Sequence, residues 1–284
     1  MVKGLFHALA MALPAAALAL SGCRDEVERL EWPTMGTVAA VQSRFSATGR
    51  RHIETSLYRD AAKRSFGEVE RLLNAYDPGS EICRLASLPD DEILAKCDAR
   101  MRPCYKTAFR LARESGGAFN PRWRGPGTLD LGAIAKGFAL DLADIYCDTD
   151  LLVDLGGNLK AMVSEPKSAR GWRVGVKDPD GDGFAATIEL KPGESLATSA
   201  EYYRGRHIYD GRTGRPAESG VKSVTVLCRS AMLADGLSTV LFILGPDEGL
   251  RFLRDHGYEA SVLFVMSGGR IVRGGIPADW DAGA

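Results

Sequence analysis

The chain has 284 residues, 45% apolar and 26% charged, which is enough for one sizeable core and argues against disorder over most of its length. Its 36 basic and 37 acidic residues nearly cancel, and no basic stripe with interleaved aromatics occurs. That pattern argues against a nucleic-acid partner.

From the amino end, Lys3 is followed by a mostly apolar run, Leu5 to Leu20, and then by the charged string RDEVERLE. The run is too short and too abruptly ended for a membrane-spanning helix, so residues 1–22 are expected to be a cleaved signal peptide. LSGC, ending at Cys23, resembles a lipoprotein processing site. Cys23 would then be the lipidated first residue of the mature chain, holding residues 23–32 as a tether at a membrane. A folded domain is expected over 33–276 and a loose tail over 277–284. Five further cysteines remain, at positions 83, 97, 104, 147 and 228, so at most two pairs can form. Cys97 and Cys104 flank a short loop and are the expected couple.

TMGTVAAVQ alternates as a first strand, and Tyr58, Ala62, Phe66, Val69, Leu72 and Leu73 have helical spacing across Leu57 to Tyr76. A second helix is expected from Pro103 to Ser115, ended by Gly116-Gly117. DLGAIAKGFALDLADIY reads as a third, entered through a glycine turn. Then come short β-rich runs: LLVDL, RVGVK, ATIEL, SLATS, SVTVLC, ASVLFVM and RIVRG, with a helix carrying ADGLST before the last pair. Without regular βαβ alternation this predicts an α+β domain, a mostly antiparallel sheet with packed helices. DPDGDGFAATIE, Asp178 to Glu189, fits a calcium-loop pattern, but its strand-like flanks favour an ordinary hairpin turn.

Two strings carry chemistry. In a helix, Asp235, Ser238 and Thr239 stand at i, i+3 and i+4 and present oxygens on one face. Such a set suits Mg2+, which keeps few protein ligands and completes its shell with water and phosphate oxygens. Asp235 also has a capping reading. Its neighbours Leu233, Leu237, Val240 and Leu241 nevertheless make an unpaired carboxylate costly without a cation. DLGAIAKG, Asp130 to Gly137, adds close-approach glycines and Lys136 to face phosphate charge. His207 has two open readings: a general base near neutral pH, or a residue that caps a loop.

Together with TMGT, AYDPGSEICRL, GGAFNP, VDLGGNLKA, ATSA and HIYDGRTGRP, in this order, these strings resemble the FAD:protein FMN transferases, the ApbE family of bacterial lipoproteins. The resemblance implies a T-fold-related architecture and a flavin site at Met35, Tyr76, Ala118, Phe119, Asn120, Asp130, Lys136 and Tyr209. It implies metal positions at Ala133 (backbone carbonyl), Asp235, Ser238 and Thr239, and His207 near the flavin phosphates as an acid/base candidate. The implied reaction is Mg2+-dependent transfer of FMN from FAD to a threonine hydroxyl of a partner flavoprotein, with AMP released. The implied address is the bacterial periplasm, on a lipid anchor. A FAD pyrophosphatase giving FMN and AMP, or a flavin-binding lipoprotein without catalysis, are the alternatives.

The chain departs from the family in identifiable places. Only nine residues, Pro121 to Leu129, separate GAFN from DLGAIAKG, where relatives carry a longer insertion. Asn120 replaces a common aspartate, ATSA replaces ATSG, and DGRTG replaces DPRTG.

Overall fold

The computed structural model describes residues 26–45, 51–143, 145–147, 149–162, 170–201 and 207–282. The expected signal peptide and Cys23 lie outside them. The strands are β1 (Glu26–Thr34), β2 (Thr37–Phe45), β3 (Asp150–Leu155), β4 (Asn158–Met162), β5 (Trp172–Lys177), β6 (Phe184–Leu190), β7 (Ser195–Ala200), β8 (Tyr209–Asp210), β9 (Arg215–Pro216), β10 (Val221–Cys228), β11 (Ser261–Met266), β12 (Ile271–Gly275) and β13 (Asp281–Ala282). The helices are α1 (Arg51–Leu73), α2 (Glu81–Leu85), α3 (Asp90–Lys96), α4 (Arg102–Glu114), α5 (Ala135–Leu142) and α6 (Ala231–Asp255).

One sheet of eight strands, in the order β1-β2-β3-β4-β7-β10-β11-β12, forms the middle of the molecule. Its neighbouring strands all pair antiparallel. The fold is α+β, as the grouping of strands and helices predicts. Both faces of this sheet are covered. Leu151, Val153, Val224, Val262 and Phe264 point to the helices, where they meet Phe66, Phe109 and Leu237 in the larger core. Leu152, Leu196, Leu263 and Val265 point the other way, against Trp172, Val174 and Ile188 of the small sheet β13-β6-β5. Strands sandwiched in this way are apolar at successive positions, which is why LLVDL and SVLFVM read as runs rather than alternations.

Several expectations of extent and pairing are corrected. The tether expected over 23–32 enters the sheet: β1 pairs with β2 from Glu26 onward. This edge strand buries only Trp32, which stacks on Phe66 at 5.9 Å, and its charged side chains hide the β pattern in the sequence. Of the tail expected over 277–284, the described residues, up to Ala282, are docked as well. Trp280 is buried and its Nε1 donates to Ser261 Oγ at 2.9 Å, while β13 pairs with β6. The third helix stops at Leu142, short of the expected ADIY. The helices α2 and α3 went unseen because five and seven residues are too few to show a helical period. Cys83, Cys97, Cys104, Cys147 and Cys228 are all free thiols, so Cys97 and Cys104 are not joined. Asp178 to Asp182 form the turn between β5 and β6, closed by Asp178 N donating to Gly183 O at 3.0 Å, and no EF-hand helices flank it.

Candidate active site

The site grows from the place where α5 meets α6. Asp130 makes a turn, its Oδ1 accepting from Gly132 N at 2.8 Å, and the chain enters α5 at Ala135. Ala135 N donates to Leu131 O at 2.8 Å and Phe138 N to Ile134 O at 3.0 Å, while Gly137 N, four residues after Ala133, turns to Asp235 instead of the Ala133 carbonyl. Asp235, on α6, is only 4% exposed and sends Oδ2 to Gly137 N at 2.9 Å. It therefore caps the amino end of a neighbouring helix, where partial positive charge collects. Lys136 Nζ stands 3.5 Å from Asp235 Oδ1 and 3.4 Å from Gly132 O. The sequence argument that Asp235 needs a cation because it is otherwise unpaired is corrected here: a backbone amide and an ammonium group already face it.

The capping is reciprocal. Asp141 of α5 accepts from Ser230 Oγ at 2.6 Å and from Ala231 N and Met232 N at 3.0 Å each, at the start of α6. Its Oδ1 also takes Lys160 Nζ at 2.6 Å. The two helices can approach this closely because Gly137 has no Cβ; one built there would lie 2.1 Å from Ala231 O and 2.7 Å from Asp235 Cβ. Nearby Cys104 is fully buried, and burial followed by the Asp235 charge pushes its thiol up, so it offers no thiolate nucleophile.

A chain of hydroxyls continues from Asp235. Ser238 Oγ donates to the Asp235 carbonyl at 2.8 Å. Having one proton, it must accept from Ser199 Oγ, 2.8 Å away on β7; Ser199 in turn accepts from Thr239 Oγ1 at 3.3 Å. Ser238 is fully buried and committed to this network, whereas the half-buried Thr239 keeps its oxygen lone pairs. Ser199, from the ATSA string, is a site residue that the sequence reading passed over.

Two further expected positions, Tyr76 and Tyr209, meet the Pro121–Leu129 bridge. Tyr76 is 77% exposed. Arg124 lies over its ring at 4.6 Å and over that of Trp123 at 4.9 Å, and Trp123 stacks on Tyr209 at 4.7 Å. Asp130 Oδ2 ties this group together, accepting from Arg124 Nη2 at 2.9 Å and Trp123 Nε1 at 3.3 Å. Trp123 and Arg124 come from the short Pro121–Leu129 bridge and were not expected.

Ala118 and Phe119 are buried, and Ala118 O accepts from Gly211 N at 2.9 Å. A Cβ on Gly211 would lie 2.2 Å from Asn120 Cβ, and a proline there would also lose that amide bond. Glycine in DGRTG is thus matched to the GGAFN loop beneath it. Met35 occupies the β1–β2 turn with φ 48°, beside Gly36, and packs on the larger core. His207 is exposed at the start of the segment leading into β8.

Among the described residues no cluster of three or more His, Cys, Asp or Glu side chains could hold a metal ion. A cation beside Asp235 would have one carboxylate, the Thr239 hydroxyl and the Ala133 carbonyl from the protein. That all-oxygen, low-charge set fits magnesium better than zinc.

The ApbE family model matches residues 35–126 and 122–264. The FAD:protein FMN transferase of Rhodobacter capsulatus is 36% identical over 174 residues, covering 53% of this chain and 32% of that protein. That of Treponema pallidum is 33% identical over 205 residues, covering 63% of this chain and 55% of that protein. The chain thus spans between about a third and a little over half the length of these curated relatives. The crystal structure of the ApbE protein from Thermotoga maritima superposes with a TM-score of 0.71 at 25% identity, covering 87% of this chain and 97% of that one. The apo flavinyl transferase ApbE of Pseudomonas stutzeri gives 0.66 at 23% identity, over 90% of this chain and 96% of its own, a likeness of fold. The family match runs from the β1–β2 turn to β11 and takes in both helices of the capped junction, so this chain belongs to the ApbE family.

Proposed function

We infer that this protein moves FMN from FAD to a threonine hydroxyl of a partner flavoprotein and releases AMP. The observation that carries this reading is the α5–α6 junction, where Asp235 and Lys136 meet at the amino end of a helix, with the Thr239 hydroxyl one turn further along α6. A helix start with a lysine beside it attracts phosphate, and a lone carboxylate among neutral oxygens suits a hard divalent ion.

Asp235, Thr239 and the Ala133 carbonyl would hold magnesium, which supplies charge to stabilise the phosphoryl oxygens as the linkage between the phosphates breaks. Lys136 neutralises the same diphosphate from the other side. Ser238 and Ser199 act as positioning residues, since their hydrogen bonds fix Thr239 and the Asp235 backbone. His207, exposed to an incoming acceptor, takes the threonine proton as the new phosphoester forms between that oxygen and the FMN-side phosphorus. The AMP-side oxygen leaves with the bonding pair. Lipidation at Cys23 and a periplasmic address belong to the same proposal.

The test is incubation with FAD, Mg2+ and an acceptor bearing a threonine flavinylation site. An FMN mass increase on the acceptor with stoichiometric AMP is expected. Free FMN and AMP alone would point to the pyrophosphatase, and unchanged FAD to a binding protein. Asp235→Asn keeps an oxygen for Gly137 N but removes the charge, so turnover should fall at least about 100-fold, with a raised Mg2+ requirement. Turnover equal to wild type would show that the metal lies elsewhere.

A further inference from the structure

The first strand fixes the end of the molecule from which the amino-terminal segment leaves. Glu26 opens β1 opposite Phe45 and follows Cys23 by three residue steps, which reach at most about 11 Å. The headgroup layer of a bilayer takes up roughly 6 Å of that. The same end carries the start of β3, where Asp150 pairs with Arg44, and the start of α1, where Thr55 Oγ1 and Ser43 Oγ lie 2.6 Å apart. Two large apolar side chains are exposed there: Leu57 at 62%, and Tyr146 at 90% in the stretch that leads into β3. Thr149 Oγ1, donating to the Arg44 carbonyl, pins that stretch to the end of β2. Arg44 and Arg170 share Asp150 at 3.2 and 3.8 Å, and Arg170 keeps 59% of its side chain exposed. The opposite end holds Met35 in the β1–β2 turn and, past the close of α1, Tyr76; Thr34 Oγ1 donates to Glu70 Oε2 at 3.2 Å between them.

We propose that the Glu26–Phe45–Asp150 end rests on a phospholipid bilayer, with Tyr146 and Leu57 at the headgroups and the β1–β2 turn pointing away. This rests on the lipidation of Cys23 put forward above, and not on the flavin chemistry. So short a tether keeps Glu26 within about 5 Å of the headgroups. Tyrosine favours the membrane–water interface, where its ring and its hydroxyl are both accommodated. The flank of β1 carries Glu26, Glu28, Arg29 and Glu31, so a posture lying on that edge would press charges against the bilayer. Glu26 offsets part of the arginine charge at the resting end, so the tether and the exposed apolar groups, more than attraction to anionic lipid, set the orientation. With nine residues in β1, Met35 stands about 27 Å from the start of the strand. An acceptor hydroxyl is therefore met a strand's length above the membrane and not at its surface.

The test is amide hydrogen exchange on the full chain, made in a bacterial host with its signal segment and reconstituted in vesicles of phosphatidylethanolamine and phosphatidylglycerol. The unlipidated Cys23→Ser chain in solution is the reference. Exchange should slow several-fold around Tyr146 and over the first turn of α1, and stay unchanged at Met35–Gly36 and around Tyr76. A Gly-Ser spacer of about twelve residues between Asp25 and Glu26 should abolish that slowing while the lipid remains. Tyr146→Ser should lessen it without altering the melting temperature. Slowing at Met35 or Tyr76, or equal exchange at both ends of the lipidated protein, overturns the orientation while leaving anchor and flavin transfer intact. A chain whose mass shows no lipid at Cys23 overturns anchor and orientation together. FMN transfer by the Cys23→Ser chain to a soluble acceptor then reads the functional proposal separately.

Discussion

The α5–α6 junction and the Pro121–Leu129 bridge meet at Asp130 and are built in opposite ways. In the junction, carboxylates cross from one helix to the backbone amides of the other: Asp235 to Gly137, and Asp141 to Ala231 and Met232. Backbone donors cannot rotate away, so the geometry is fixed by the packing of two helices. In the bridge, flat side chains lie on one another and a single carboxylate gathers them. Side chains can leave such a stack one at a time. The fixed partners of the junction are backbone amides, whereas those of the bridge are side chains, so the junction is the more rigid of the two.

The largest effect is expected at Gly137. Its replacement by Ala would place a methyl 2.1 Å from the Ala231 carbonyl oxygen, so α5 must shift off α6, with an expected cost of about 3 kcal/mol. Urea unfolding with Mg2+ titration would check it; wild-type stability would mean that the junction is softer than its contacts imply. Asp141→Ala comes next. It removes three capping bonds at the start of α6 and the partner of Lys160, for about 2 kcal/mol, read from thermal melts.

The smallest effect sharpens the other side. Burial pushes the Asp210 carboxyl up, but the Arg212 side-chain bond, backbone bond and charge outweigh it and hold the group below its ordinary 3.8. A folded-state pKa below the unfolded one gives stability that is present above the unfolded value and lost as pH falls through the folded one. Asp210→Asn should therefore be slightly less stable than wild type at neutral pH, with the gap closing below about pH 4. A gap independent of pH between 3 and 7, both rough bounds for the titration, would remove the Asp210–Arg212 pair from the β8–β9 platform.

The α1, α4, α5 and α6 helices, and eight strands, were legible because their apolar residues repeat with the period of the element or run together through the sheet. Edge strand β1 and β13 were not: a single buried tryptophan, Trp32 in the one and Trp280 just ahead of the other, gives no periodicity to detect. Within the site, Asp235 and Lys136 stood out as charged residues in apolar or glycine-rich company. Asp141 did not, since a carboxylate late in a helix is ordinarily a solvated one. Trp123 and Arg124 sat in a stretch noticeable only for its shortness.

By itself, then, the sequence determined the identity of the oxygens and the lysine, their spacing on single elements, and the α+β class, because each of these is set by local period and residue chemistry. Tertiary structure alone decided that Asp235 caps a second helix, that a hydroxyl relay leaves Thr239 open, and that Arg124 meets both Tyr76 and Trp123. Those facts join residues far apart in the chain, and only the packing of α5 on α6 and of the bridge on β8 brings them together.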